Sequence, residues 1–337
     1  MTGPVAVTGA NGFVGRGVCR NLRETGIQVR AVVRKRALVE SEGEIAVVRS
    51  LADIAPAVFE GCASVIHLAA RVHVMNDSAA DPLADFRAIN VDGTLKTADA
   101  AFRAGAKRFV YVSSIKALDK RDPGRPLEET DPRNPSDPYG ISKAEAEIQL
   151  QQFGARTGLE IAIVRSPLVY GPEVRANFLS LMGAIARGLP LPLGAIEAKR
   201  SMVYVDNLAS ALVACAMHPR AANQLFHVTD GEDPGVADLA RRLGLHLHRP
   251  ARLLPVSVGV LRTLGRLTGK SASIDRLTGS LRVDSGHIRD VLDWRPLFSL
   301  DAGLAETAAW YCAYAAIAPT LPLRPRDPEK RAEIRTG

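Results

Sequence analysis

Tyr139 and Lys143 stand four residues apart, a spacing that puts a phenol and an ammonium on one face of a helix. A neighbouring ammonium favours the phenolate, so such a pair can move a proton near neutral pH. Asp137-Pro138 just ahead suits a helix start, with proline in the first turn. Upstream, Val110-Tyr111-Val112-Ser113-Ser114 reads as a buried strand ending in two hydroxyls. At such a strand end Ser114 can hydrogen-bond the oxygen whose proton Tyr139 moves. Taken singly these are an exposed helix pair and two serines that finish a strand; their combination carries the chemistry.

A second group of residues supplies a place for an anion. Thr8-Gly9-Ala10-Asn11-Gly12-Phe13-Val14-Gly15 follows the apolar run Val5–Thr8 and opens a helical stretch. Glycines at this spacing allow a tight turn, close backbone approach to a pyrophosphate and intimate helix–strand packing, with the helix N-terminus receiving the charge. The next apolar run ends in Val33-Arg34-Lys35-Arg36. An acidic residue there would favour NAD; Arg34 instead suits a 2′-phosphate, so NADP(H) is the expected cofactor and NAD(H) the alternative.

These residues need a scaffold that gathers strand ends on one edge. Short β-branched runs at 5–8, 28–33, 45–48, 64–68, 108–113 and 160–165 alternate with helical stretches at 12–25, 53–60, 85–104 and 139–157. Wholly apolar strands alternating with helices predict an α/β doubly wound parallel sheet covered on both faces. Beyond Pro167, proline and glycine punctuate the chain. Helices are expected at 176–187, 207–218 and 236–242, with β-like pieces at 201–205 and 224–228. The expected division is a dinucleotide-binding domain over 1–166, a smaller, irregular substrate lobe over 167–316 and a frayed tail over 317–337.

Composition narrows the classes further. In 337 residues, 47% hydrophobic and 23% charged, there is ample material for a core. No apolar run reaches the roughly 18 residues of a membrane span, and the start lacks a secretory pattern. A cytoplasmic protein is therefore expected. The net charge of +7 favours anionic partners, but the basic residues are scattered and no nucleic-acid motif accompanies them. Cys19, Cys62, Cys215 and Cys312 have neither disulfide nor metal-ligand spacing. The stretch 256–267, with Arg262 and Arg266, is amphipathic and reads as a packed helix rather than a membrane-surface one.

Together these segments resemble the extended short-chain dehydrogenase/reductase family, in its nucleotide-sugar epimerase/dehydratase branch, over residues 4–312. The matching positions are the loop from Gly9 to Gly15, His67-Leu68-Ala69-Ala70, Asn90, the Ser114–Tyr139–Lys143 triad and Arg200-Ser201-Met202-Val203-Tyr204-Val205-Asp206. Asn177 and Leu292-Asp293-Trp294-Arg295-Pro296 complete them. The resemblance implies a Rossmann-type domain whose cofactor contacts include Leu68, Ala69, Ala70, Asn90, Ser113 and Lys143, the last through the nicotinamide ribose. It implies a nucleotide-diphosphate sugar as substrate, gripped by Arg200 and Asn177, and a homodimer packed through the Tyr139 helix. Arg276 or Arg282 would be a second diphosphate arginine, and Leu281 would limit the sugar's C2 substituent.

Departures from the family pattern select among its members. Ser114 is followed by Ile115-Lys116 where 4,6-dehydratases carry an Asp-Glu pair, which argues against dehydration. Arg34 favours a reductase that consumes NADPH, and Ser113-Ser114-Ile115-Lys116 resembles bacterial reductases of UDP-4-keto-6-deoxy-HexNAc in surface polysaccharide synthesis. A UDP-glucose 4-epimerase with tightly held NAD is the alternative. A ketone reductase of the hydroxysteroid or dihydroflavonol type shares the loop and the Tyr–Lys pair but not the Arg200–Asp206 element, and a non-catalytic NADP sensor would not need both Tyr139 and Lys143.

Overall fold

The structure, a computed structural model, describes residues 3–36, 43–72, 81–269 and 271–317. Its strands are β1 (Val5–Thr8), β2 (Val29–Val33), β3 (Glu44–Val47), β4 (Ser64–His67), β5 (Arg108–Ser114), β6 (Glu160–Ser166), β7 (Leu168–Tyr170), β8 (Met202–Tyr204) and β9 (Leu225–His227). Seven of them form one parallel sheet in the order β3-β2-β1-β4-β5-β6-β9, and β7 pairs with β8. The order runs outward in both directions from β1 and β4, so their carboxyl ends flank the switch point where doubly wound sheets bind ligands.

The helices are α1 (Phe13–Glu24), α2 (Pro82–Arg87), α3 (Gly93–Arg103), α4 (Pro138–Thr157), α5 (Ala176–Ala186), α6 (Val205–Met217), α7 (Val236–His246), α8 (Val258–Leu267), α9 (Ser271–Thr278), α10 (Gly286–Leu292) and α11 (Leu300–Ile317). Alternate residues of each strand face opposite sides. Val5, Val7, Val110, Ala162 and Val164 pack with Leu22 of α1 and Leu208 and Leu212 of α6. Ala6, Val65, Phe109, Ile161 and Ile163 pack with Ala98 and Ala101 of α3 and Ala146, Leu150 and Phe153 of α4. Double coverage is why the strands read as continuous apolar runs.

Several expectations are corrected. The stretch 53–60 is not an α-helix but two short 3-10 turns, Leu51–Asp53 and Pro56–Phe59. Pro56 lacks an N–H and holds Ala55 extended, which interrupts the helix. The expected helix 85–104 starts earlier, at Pro82 behind the Asp81 cap, and is broken by a π turn over Ala88–Asp92. The strand expected at 224–228 in the substrate lobe is β9, the seventh strand of the main sheet.

Packing divides the chain into two units that are discontinuous in sequence. The first comprises 1–169, 199–233 and 279–300; the second comprises 170–198, 234–278 and 301–337. In the second, α5 packs against α7, with Leu179, Met182 and Ile185 buried on one and Leu239, Ala240 and Leu243 on the other. On α8, Leu261 and Gly265 are buried while Val260, Leu264 and Leu267 are exposed. The expected tail lies outside the described residues from 318 onward.

Candidate active site

β5 is flanked by β4 and β6, and its last residues, Ser113 and Ser114, stand at the carboxyl edge of the sheet. Their side chains leave on opposite faces. Ser114 hydrogen-bonds the Tyr139 hydroxyl and accepts the Lys116 backbone N–H at 3.3 Å. Ser113 donates to Glu147 Oε1 at 2.6 Å.

α4 supplies the other catalytic candidates. Asp137 caps it by accepting the Gly140 N–H at 2.9 Å, and Pro138 opens its first turn. Tyr139 is partly buried, with Phe86 edge-on to its ring at 5.9 Å. Lys143 is buried; its ammonium donates to the Val112 carbonyl at 2.8 Å and lies 4.6 Å from the Tyr111 ring centroid and 6.0 Å from that of Tyr139.

The electrostatics differ from the sequence expectation. Burial pushes the Tyr139 phenol up to about 12, with Asp137 adding to the rise and the Ser114 hydrogen bond opposing it. Burial also pulls Lys143 down to about 7, against the charge of Glu147. Proximity was expected to let the ammonium acidify the phenol, but burial moves the phenol the other way. The phenol of Tyr139 thus lies above its ordinary value.

Behind the triad sits a buried ion cluster. Glu147 accepts from Arg165 at 2.9 and 2.7 Å and from Arg133 at 3.1 Å. Burial alone would raise Glu147, but the hydrogen bonds and charge of Arg165 hold its carboxyl below the usual range. This cluster fastens α4 to β5 and β6. His67 does the same for β1 and β4: fully buried, it bonds Thr8 Oγ1 at 2.9 Å and Thr94 Oγ1 at 3.1 Å. Burial drives it down to about 3, so it stays neutral.

The cradle between β1 and α1 fits a dinucleotide. Gly12 caps α1 without any side-chain acceptor, so the first-turn N–H groups are left to a ligand. A Cβ on Gly15 would stand 2.2 Å from Gly9 O and 2.8 Å from Ala10 Cα. Gly15→Ala is therefore expected to push the loop off α1 and weaken NAD(P)H binding at least about a hundredfold by fluorescence titration; unchanged binding would contradict the role of the loop. Asn11 holds the turn by accepting Arg16 Nη1 at 2.9 Å, and Phe13 and Val14 begin the helix. Thr8 Oγ1 accepts the N–H groups of Leu68 and Ala69, which brings Leu68, Ala69 and Ala70 beside the loop. Asn90 is fully buried and ties the Arg71 backbone, at 2.8 and 3.0 Å, to Ser142 Oγ at 3.0 Å. Arg34 is exposed just past the end of β2.

Of the substrate candidates, Arg200 forms a bridge with Leu281 in the first unit. Arg282 is committed to Asp122, at 2.9 and 3.0 Å. Asn177, exposed on the first turn of α5, and Arg276, whose Nε donates to Ala272 O at 3.2 Å, belong to the second unit. Among the described residues no helix is long and apolar enough to cross a membrane, and no group of three His, Cys, Asp or Glu side chains could hold a metal ion.

Residues 5–228 match the NAD dependent epimerase/dehydratase family. The chain belongs to that family. It is 39% identical over 314 residues to a UDP-glucose 4-epimerase of Vibrio cholerae, covering 91% of this chain and 95% of the relative. It superposes on the crystal structure of UDP-glucose 4-epimerase with UDP-glucose from Thermotoga maritima with a TM-score of 0.73 and 25% identity, covering 92% and 99% of the two chains. It is also similar to MoeE5 in complex with UDP-glucuronic acid and NAD, at TM-score 0.72 and 26% identity over 93% and 100% of the chains. It is thus an enzyme of the NAD(P)-dependent short-chain dehydrogenase/reductase type.

Sequence reasoning passed over Glu147 and Arg165 in this enzyme. The available signal was Arg165 inside an otherwise apolar strand, since a buried guanidinium requires a carboxylate partner, and Glu147 one further turn along the Tyr139–Lys143 face.

Proposed function

We propose that this enzyme works at C4 of a UDP-hexose, and that it reduces a UDP-4-keto-6-deoxy-HexNAc with NADPH. The carrying observation is Arg34, exposed just past the end of β2 where a 2′-phosphate would sit, together with a Tyr139 hydroxyl that is hydrogen-bonded to Ser114 and can give a proton to a ketone. When bound, the nicotinamide supplies the hydride. Ser114 orients the C4 oxygen by a hydrogen bond, and Tyr139 gives that oxygen its proton. Lys143, on the same face of α4, faces the proton donor and holds the cofactor's ribose. Arg200 neutralises the diphosphate, and Leu281, bridged to it, bounds the sugar. Arg34, with Lys35 and Arg36 behind it, receives the 2′-phosphate. A homodimer through α4, whose Ile148 is exposed, belongs to the same reading.

The 39% identical Vibrio cholerae relative favours a second reading, a 4-epimerase with retained NAD. Absorbance at 340 nm with the purified enzyme, NADPH and the 4-keto sugar separates the two. Stoichiometric loss of NADPH is expected for the reductase. Interconversion of UDP-sugars at C4 with no net loss would establish the epimerase instead. In the reductase, Arg34→Asp should cut the preference for NADPH over NADH about tenfold to a hundredfold in kcat/KM; an unchanged ratio would remove Arg34 from cofactor selection.

A further inference from the structure

Lys116, two residues after Ser114, also lies against the Tyr139 ring. Lys116 sits in a 3-10 turn, Ile115–Ala117, directly after β5. Its backbone N–H is bonded to Ser114 Oγ. Its carbonyl presses on α4 so closely that a Cβ on Gly140 would lie 2.4 Å from Lys116 O. Its ammonium pairs with Asp137 Oδ2 at 2.9 Å and lies 5.8 Å from the Tyr139 ring centroid. The backbone of this turn is thus locked against the start of α4, and the side chain reaches the Tyr139 ring.

Asp137 brings a difficulty with it. As the cap of α4 it must sit at the helix start, two residues from Tyr139, and its carboxylate opposes any negative charge on the phenol oxygen. Burial is the larger reason that Tyr139 resists ionisation, and Asp137 adds to it. Other groups facing the ring are Lys143 on α4 and Tyr111 and Ser114 on β5, while α2 presents Phe86. The nearby charges from α2 and its approach are paired: Arg71 with Asp85, and Arg87 with Glu145. Lys116 is a cation placed to offset Asp137.

We propose that Lys116 is a positioning residue of the reaction, its ion pair offsetting part of the charge that the Asp137 cap exerts on the Tyr139 phenol while its ammonium lies 5.8 Å from the ring centroid. The inference rests on Tyr139 as the proton-transferring group, and it holds for either direction of hydride transfer. In reduction the phenol oxygen becomes negative as it gives up its proton; in oxidation it must start negative. Both are eased by a cation and opposed by an unpaired carboxylate.

The test is steady-state kinetics on the full chain with NADPH and the 4-keto sugar, or with a UDP-hexose for epimerisation. Lys116→Met should lower kcat about five- to tenfold with KM and NADPH affinity unchanged, a modest effect because the pair is about one-third exposed. Lys116→Arg should retain turnover. The double variant Lys116→Met/Asp137→Asn should recover kcat to within about threefold of the parent, since asparagine still caps the helix and no charge is left to offset. A mere staple between turn and helix would not be restored by removing the second partner. If Lys116→Met leaves kcat unchanged, or the double variant is as slow as the single one, the proposal is overturned. If Tyr139→Phe keeps full turnover, it is the reading of Tyr139 that has failed.

Discussion

Tyr139→Phe is expected to lower kcat by about a thousandfold, within the 10²–10⁴ range of a positioned proton donor, while NADPH affinity stays within about threefold of the parent. Phenylalanine keeps the ring that Phe86 meets edge-on and the packing at the start of α4. What it removes is the O–H that Ser114 hydrogen-bonds and that the C4 oxygen would receive. Initial rates at 340 nm and a fluorescence titration of NADPH read the two quantities separately. Turnover near that of the parent would take Tyr139 out of the reaction. A parallel loss of cofactor affinity would show a disturbed site rather than a missing proton.

The second large effect is on stability. Replacing Glu147 by alanine should cost about 3–5 kcal/mol, the range for removing one partner of a buried pair. Glu147 and Arg165 are both essentially without solvent exposure, and Arg133 and Ser113 spend hydrogen bonds on the same carboxylate. The alanine variant leaves a buried guanidinium without its counter-charge. The pH dependence has a definite sign. The folded carboxyl of Glu147 is held below its ordinary range, so its contribution is fully present above the unfolded value, near 4.3, and disappears as pH falls through the lower folded value. Denaturant unfolding should show a wide gap between parent and variant at pH 7 that narrows toward pH 3. A gap that is small at pH 7, or that does not change with pH, would mean the cluster is better solvated than its burial implies.

Local rules made part of this legible. The loop Gly9–Gly15, the apolar strands and the start of α4 at Asp137-Pro138 each follow from constraints that act over a few residues: backbone clearance, alternation across a sheet and capping. Their boundaries were read to within a residue or two for β1, β5 and α4. Where local signals conflicted the reading failed, as at Pro56, which cannot donate a backbone hydrogen bond and so splits an otherwise periodic stretch into two turns.

The chain order alone therefore pointed to the sheet class, the glycine loop and the Tyr139–Lys143 pair, because each depends on spacing within one strand–turn–helix unit or along one helix face; that Ser114 meets Tyr139 is a contact between β5 and α4. Tertiary structure decided the rest. That β9 joins the sheet, that Arg282 is committed to Asp122 while Arg200 meets Leu281, and that Glu147 and Arg165 bind each other are pairings between distant segments. The direction in which Tyr139 is shifted is of the same kind: the helix spacing argued for an acidified phenol, yet burial by the surrounding elements pushes it up. Burial is a property of everything packed around a group, and no window of sequence contains it.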